Sequence, residues 1–135
     1  MIRDILFSYL KTDVTVLEGD DFVVSVLSTL VARGPVYVIT AWNPGDERPS
    51  LETNRARNEV LRDDLHALGA TPVSALGSDP DSDHAEESWA CTGITEDVAL
   101  ELGAKYGQVA IFEITSTDQT VIRCDNSWRI SRRNS

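Results

Sequence analysis

The chain has 135 residues, of which 41% are hydrophobic and 25% are charged, so it can bury the core of one globular domain and is not expected to be disordered. Its 12 basic and 22 acidic residues give a net charge of −10, which disfavours nucleic-acid binding except through the short basic tail at Arg129, Arg132 and Arg133. The N-terminal apolar run is broken by Asp4 and Lys11, and no apolar stretch approaches the roughly 18 residues of a membrane span. We therefore expect a cytoplasmic protein with no nucleic-acid partner and no membrane partner.

Apolar periodicity predicts the elements of the first third of the chain. A helix is expected over residues 2–10 and a short strand over 13–17. Residues 21–33 favour a helix, although their first residues also allow a strand. Residues 36–42 (Val-Tyr-Val-Ile-Thr-Ala-Trp) are apolar on both alternating faces, as in a central strand that is covered on both sides.

A polar turn and a helix follow this central strand. Residues 43–46 (Asn-Pro-Gly-Asp) form a strong turn signal, and Ser50 is the expected N-cap of the helix that ends at Gly69. The buried stripe of this helix consists of three leucines: Leu61, Leu65 and Leu68. Counting back along the same stripe reaches Asn58 and Asn54, so two amides are predicted to face inward at the N-terminal end of the helix.

The second half of the chain predicts four further strands and one helix. The strands are expected over residues 71–76, 87–92, 108–115 and 119–124. Thr95 is the expected N-cap of the helix between the second and third of these strands, and Gly107 follows the end of that helix.

These elements predict an α/β fold, with α+β as the alternative. We expect a single-domain sandwich over residues 1–125, with a mixed five- or six-stranded sheet flanked by three or four helices. Residues 126–135 are polar and are expected to be a flexible C-terminal tail.

Cys91 and Cys124 each lie in an apolar, strand-like run without a second Cys or a His at metal-binding spacing. They are therefore interpreted as reduced thiols of the core. The chain predicts no metal site and no cofactor.

Four short motifs carry a family resemblance. They are residues 39–44 (Ile-Thr-Ala-Trp-Asn-Pro), Ser50 with Asn54 four residues later, residues 86–88 (Glu-Glu-Ser), and residues 106–108 (Tyr-Gly-Gln) before an apolar strand. In this combination the chain resembles the bacterial domain of unknown function family 3293, from about residue 9 to residue 124. The resemblance implies a compact single domain and no established activity. The chain departs from the family's pattern at residues 78–85, where its loop is unusually acidic.

All of the net charge comes from the middle third of the chain. No Lys or Arg occurs between Arg62 and Lys105, whereas the remaining residues carry 12 acids and 12 bases. The interval holds ten acids: Asp63, Asp64, Asp79, Asp81, Asp83, Glu86, Glu87, Glu96, Asp97 and Glu101. Such a region can be a solvated face, a docking surface for a basic protein, or a metal-assisted site.

The spacing of Asp79, Asp81 and Asp83 is similar to that of a calcium-binding loop. However, the sixth position is His84 and the twelfth is Ala90, where such a loop needs Gly and Glu. A specific metal site is therefore not predicted.

The first candidate site is the polar set around the turn after the central strand: Thr40, Asn43, Ser50, Asn54 and Asn58. Ligands of open α/β sheets lie beyond the carboxyl ends of strands, and helix N-termini bind anions. The structural alternative is that Asn43 forms an Asx-turn and Asn54 ties the turn to the helix.

The second candidate site is formed by Glu86, Glu87 and Ser88 at the start of a strand. A carboxylate at this position could reach the same pocket and act as a general base or bind an amine. The alternative is a surface ion pair.

Together these residues predict a small acidic domain that binds a small polar ligand at the turn after strand 36–42. Asn43, Ser50 and Asn54 would fix the ligand, and Glu86 would be an acid or base. The alternative is a non-catalytic interaction or inhibitor module that docks a basic protein through the acidic middle third. A hydrolase using Glu86 ranks third, and no motif decides whether the chain is an enzyme.

Overall fold

The computed structural model describes residues 13–16, 29–44, 47–78 and 85–133. Within these residues seven strands form one sheet: β1 Asp13–Val16, β2 Val36–Ile39, β3 Val73–Ser78, β4 Ala85–Cys91, β5 Ala110–Ile114, β6 Asp118–Arg123 and β7 Arg129–Arg133. Two helices connect strands: α1 Leu51–Ala67 and α2 Glu96–Lys105. Residues 29–32 are also helical, whereas the helix predicted over 2–10 and most of that over 21–33 lie outside the described residues.

The sheet has the order β1-β3-β4-β2-β5-β6-β7, and every neighbouring pair is antiparallel. The fold is therefore α+β, which confirms that alternative of the predicted class. The expectation of a mixed sheet was wrong. Three of the pairs are consecutive hairpins, which reverse the chain. Each of the two helical connections joins strands that run parallel but are not neighbours, because β4 lies between β2 and β3 and β2 lies between β4 and β5.

The predicted count of five or six strands was also too low. The additional strand, β7, comes from the residues that were expected to form a flexible tail. It pairs with β6 from Asp118 opposite Arg133 to Ile122 opposite Arg129, after a turn in which Asn126 has a φ of 59°. All five residues of β7 are exposed, so it lacks the apolar alternation by which strands are recognised in a sequence.

The prediction of a central strand covered on both sides is confirmed. All four residues of β2 are buried, and β2 lies between β4 and β5. Tyr37 and Ile39 belong to the core under α1 and α2, whereas Val36 and Val38 belong to a second core on the opposite face. The alternation of a strand thus places successive side chains in two different cores.

The predicted helix caps are confirmed as well. The hydroxyl oxygen of Ser50 accepts a hydrogen bond from the Thr53 backbone N–H at 3.1 Å, and that of Thr95 accepts one from Val98 at 3.2 Å. Gly69 follows α1 with a φ of 84°, a conformation that favours glycine.

Both cysteines are free thiols, as predicted. Burial raises the pKa of Cys91 to about 12, and burial together with the nearby Asp125 raises the pKa of Cys124 to about 11. Both therefore stay protonated near neutral pH and are weak nucleophiles.

Candidate functional site

The turn after β2 is closed by a reciprocal pair of amides. The Asn43 backbone N–H donates to Asn54 Oδ1 at 3.1 Å, and Asn54 Nδ2 donates to Asn43 Oδ1 at 3.0 Å. Asn43 has a φ of 45°, which Asn tolerates better than most residues. Asn54 is only 3% exposed. The prediction that Asn54 faces inward is confirmed, and its amide ties the turn to the helix.

Asn58, one turn further along α1, connects this helix with β4 and with the residues after β2. Its Oδ1 accepts from the Ala41 backbone N–H at 2.9 Å, and its Nδ2 donates to the Glu87 carbonyl at 3.0 Å. Its own backbone carbonyl accepts from the indole Nε1 of Trp89 at 2.9 Å. Asn58 is 4% exposed, so these bonds are shielded from water and fix α1 to β4 and to the residues after β2.

Thr40 strengthens the same junction. Its hydroxyl donates to the Glu87 carbonyl at 2.7 Å and accepts from the Trp42 backbone N–H at 3.0 Å. The Glu87 carbonyl thus accepts from both Thr40 and Asn58. These two hydrogen bonds fix the main chain of β4 at Glu87 independently of the position of the Glu87 side chain.

The other three predicted residues have separate surroundings. Ser50 is an exposed cap whose hydroxyl also donates to Thr53 Oγ1. Ser88 is buried and its hydroxyl donates to the Glu86 carbonyl at 3.2 Å. Glu86 is one residue from Glu87, so strand alternation turns its side chain away from the face that Glu87 presents to α1. Of the two neighbouring carboxylates, Glu87 and not Glu86 reaches α1.

A cleft of about 300 Å³ lies between α1 and the strands β3 and β4. Its lining combines charged, polar and aromatic residues: Arg55, Asn58, Glu59, Ser74, Ala75, Glu87, Ser88 and Trp89. Of the residues of the two predicted candidate sites, Asn58, Glu87 and Ser88 belong to this lining. Asn43, Ser50 and Asn54 do not.

A two-pronged ion pair spans the cleft from α1 to β4. Arg55 Nε donates to Glu87 Oε1 at 3.3 Å, and Arg55 Nη2 donates to Glu87 Oε2 at 3.0 Å. These hydrogen bonds raise the pKa of the Arg55 guanidinium. The two side chains are 58% and 40% exposed, so water and salt screen the pair and its contribution to stability is small.

Trp89 forms an aromatic wall of the cleft. Its indole N–H is fixed by the Asn58 carbonyl, and the Arg62 guanidinium lies 5.7 Å from the ring centroid. We call the side of α1 with Arg55, Glu59 and Arg62 the open flank.

The other side of α1, which faces α2, is the closed flank. Asp64 Oδ2 accepts from Tyr106 Oη at 2.5 Å and from Lys105 Nζ at 2.7 Å. These hydrogen bonds lower the pKa of Asp64, while burial and the bond to Asp64 raise the pKa of Tyr106. Carboxylate, phenol and ammonium thus fasten the two helices to each other.

The end of α2 is packed against the turn after β2. A Cβ on Gly107, whose φ is 74°, would lie 2.6 Å from the Pro44 Cβ. Gln108 Nε2 donates to the carbonyl of Trp42 at 2.9 Å and to that of Tyr106 at 3.3 Å. Gln108 therefore satisfies a carbonyl at the helix end and leaves little room at this corner.

A family model described as "Protein of unknown function (DUF3293)" matches residues 39–111, which is more than half of the chain. The chain belongs to this family. The match begins at the end of β2 and reaches into β5, so it includes both flanks of α1. No curated protein and no solved structure matches the chain.

The acidic middle third of this DUF3293 protein is partly neutralised by bases from outside that interval. Glu87 pairs with Arg55, Asp64 pairs with Lys105 at 2.7 Å, and Glu96 pairs with Arg129 at 2.8 Å. The acids of the loop at residues 79–84 lie outside the described residues. In the described part of the chain, no group of three or more His, Cys, Asp or Glu side chains could hold a metal ion, and no helix is long and apolar enough to cross a membrane.

Five lining residues were absent from the predicted sites: Arg55, Glu59, Ser74, Ala75 and Trp89. Arg55 and Glu59 lie one turn apart on α1, next to the stripe that contains Asn54 and Asn58. The sequence pattern predicts this face to be solvent-exposed. Ser74 and Trp89 are paired opposite each other in β3 and β4. That pairing brings together residues 15 positions apart and could have been found only by predicting the hairpin register.

Two buried donors, Trp42 Nε1 and Arg57 Nη1, have no acceptor among the residues that the structure describes. Neither residue lines the cleft.

Proposed function

We propose that this domain binds a small polar ligand in the cleft between α1 and β3–β4. One observation carries the proposal: the cleft is about 300 Å³ in volume and is lined by an exposed guanidinium and an exposed carboxylate beside an aromatic ring. Small-molecule sites begin at roughly this volume and combine an apolar wall with a few polar groups. The ligand is therefore small, about the size of an amino acid.

The proposed position differs from the one that the sequence predicted. Asn43 and Asn54 use their amide groups on each other, and Ser50 caps a helix. Such side chains have little hydrogen-bonding capacity left for a ligand. Within the described part of the chain, the exposed side chains of Glu87 and Arg55 bind each other, so both can exchange that partner for a ligand group.

The surroundings of Glu87 support a binding role for its carboxylate. Its backbone carbonyl is held by Thr40 and Asn58, and its strand is paired on both sides. A fixed main chain with an exposed carboxylate is an anchored binding group, because little conformational entropy is lost when a ligand binds.

We do not propose docking of a basic protein as a second function. Glu87, Asp64 and Glu96 each already have a basic partner in this chain. These charges are therefore neutralised within the chain, which weakens the long-range attraction for a basic protein.

The proposal can be tested by NMR titration of the ¹⁵N-labelled protein. The indole N–H signal of Trp89 reports on the cleft wall directly. The probes are the twenty common amino acids, acetamide, urea, imidazole and glycerol, each added to about 10 mM so that millimolar affinities are detected. We expect at least one probe to shift the Trp89 indole signal in a saturable manner.

A cleft-filling variant provides the control. Ser74→Phe places a ring in the cleft opposite Trp89, at a strand position that accepts aromatic residues. It should abolish the saturable shift, whereas Ser131→Phe on the exposed edge strand β7 should retain it. If no probe shifts the Trp89 signal, or if Ser74→Phe binds as well as the wild type, the cleft is not a binding site.

A further inference from the structure

We infer that the ligand of the cleft is a zwitterion of the amino-acid type, whose carboxylate binds Arg55 and whose ammonium binds Glu87. This inference rests on the proposed function and names the ligand class of the same site. It depends on the geometry of the ion pair and on the charges of the lining.

The two ends of the ion pair are complementary to the two ends of a zwitterion. Arg55 presents Nε and Nη2 side by side, the two-pronged geometry that recognises a carboxylate. Glu87 presents both carboxylate oxygens as acceptors, which suits an ammonium donor. A zwitterion placed between them replaces one charge-assisted contact by two, so no charge is left unpaired.

The exposure of the pair makes this exchange feasible. The Arg55 side chain is 58% exposed and the Glu87 side chain 40% exposed. Exposed ion pairs of this kind contribute little free energy, because water solvates both charges well when they separate. Separating the pair to admit a ligand therefore costs little.

The remaining charges of the lining disfavour ligands with only one charge. Glu59 is paired with Arg62 at 3.4 Å, so Arg55 and Glu87 are the lining charges that a ligand can engage. A simple carboxylic acid would displace Glu87 from Arg55 and leave the Glu87 carboxylate without a cation. A simple amine would displace Arg55 from Glu87 and leave the guanidinium without a partner.

The aromatic wall indicates what else the ligand carries. Trp89 presents its ring to the cleft with its N–H already bonded, so the ring offers apolar contact and no free donor. We therefore expect a short apolar side chain on the zwitterion.

Three probes of matched shape test the inference. They are L-leucine, 3-methylbutylamine, which lacks the carboxylate of leucine, and 4-methylpentanoate, which lacks its ammonium. Titration at the Trp89 indole signal should give a dissociation constant for leucine at least about tenfold below that of either analogue, the factor that one additional charge-assisted contact provides.

Two substitutions assign each end of the ligand. Arg55→Gln should remove the preference for leucine over the amine, and Glu87→Gln should remove the preference for leucine over the acid. The matched controls are Arg129→Gln and Glu96→Gln, which disrupt a second two-pronged pair outside the cleft lining. Both controls should keep the full preference.

The result also separates this inference from the proposed function. If leucine and an analogue bind with equal affinity, or if neutral probes bind better, the cleft is a site but the zwitterion assignment is wrong. If leucine keeps its preference in Arg55→Gln and Glu87→Gln, the assignment of its two ends is wrong. If no probe of any class binds, the proposed function itself fails.

Discussion

The two flanks of α1 differ in how completely their polar groups are used. On the closed flank, the short carboxylate of Asp64 binds both Tyr106 and Lys105, and Gly107 lets α2 approach Pro44 closely. On the open flank, the long side chains of Arg55 and Glu87 reach across a cleft and are largely exposed. One helix thus carries a packed contact on one side and a cavity on the other.

The difference teaches that side-chain length decides which polar groups remain available to a ligand. Short groups such as Asn54 and Asp64 hold neighbouring elements in contact, and their oxygens accept hydrogen bonds from those elements. Long groups hold them at a distance, which leaves volume between them and leaves their charged ends in water. A ligand is therefore expected at the long, exposed pair and not at the buried amides.

The largest effect is expected at the boundary between the flanks. Asn58→Leu removes the acceptor of the Ala41 N–H and one donor to the Glu87 carbonyl, in a site that is almost fully buried. Unfolding in urea should show a loss of about 3 kcal/mol, since buried groups are left without partners. Asn54→Ala should cost less, about 2 kcal/mol, because Asn54 ties only the adjacent turn to its own helix.

Equal losses of unfolding free energy in the two asparagine variants would contradict the expected difference between Asn58 and Asn54. They would mean that Asn58 contributes no more than a turn contact does, and that the cleft wall is held by other groups.

A glycine substitution tests how closely the closed flank is packed. Gly107→Ala combines an unfavourable positive φ with a contact to Pro44 at 2.6 Å, so we expect a loss of about 2.5 kcal/mol. Gly69→Ala has a similar φ of 84° but nothing within 4 Å of the added Cβ, so its loss should be about 1 kcal/mol. The difference between the two unfolding free energies measures the contact with Pro44.

If both alanine variants lose the same amount, only the backbone conformation matters. The closed flank would then have room that the structure does not show.

The pH dependence of stability should distinguish the flanks through Asp64. Lys105 and Tyr106 lower its pKa in the folded state below its ordinary value of 3.8. A lowered folded-state pKa stabilises the protein above the unfolded-state pKa, and this contribution disappears as the pH falls through the folded-state value. Asp64→Asn should therefore cost about 1 kcal/mol at pH 7, after allowance for screening, and the difference from wild type should shrink below about pH 3.9.

Urea unfolding of wild type and Asp64→Asn over this pH range measures the effect. The exposed neighbour Asp63→Asn is the control and should show no comparable change. A constant difference between wild type and Asp64→Asn at all pH values would show that the ionised form of Asp64 is not what stabilises the helix pair.

The smallest effect on stability is expected from the pair that spans the cleft. Glu87→Gln and Arg55→Gln should leave the urea midpoint nearly unchanged, because the main chain of Glu87 is held by Thr40 and Asn58 and the pair itself is exposed. Circular dichroism should show the same fold in both variants. A large loss of stability in either one would mean that the pair is structural, and the open flank would then resemble the closed one.

The sequence by itself determined the elements whose signals are local. The burial of β2, the caps Ser50 and Thr95, the inward amides Asn54 and Asn58, and the reduced cysteines all follow from patterns within a few residues. These patterns hold because periodicity and capping act over one or two turns of the chain. The prediction that Leu68 continues the buried stripe was wrong: it is 49% exposed, because α1 ends at Ala67. The family resemblance rested on the same segments, and the match over residues 39–111 confirmed it.

Only the tertiary structure decided how those elements meet. In the structure every neighbouring pair of strands is antiparallel, and the polar C-terminal residues form β7, which is stabilised by its pairing with β6. It also placed Arg55 against Glu87, 32 positions apart, and turned Glu86 to the other face. Strand pairing and register depend on contacts between distant residues, and a shift of one residue exchanges the two faces of a strand. The amides were therefore visible in the sequence, whereas the cleft beside them was not.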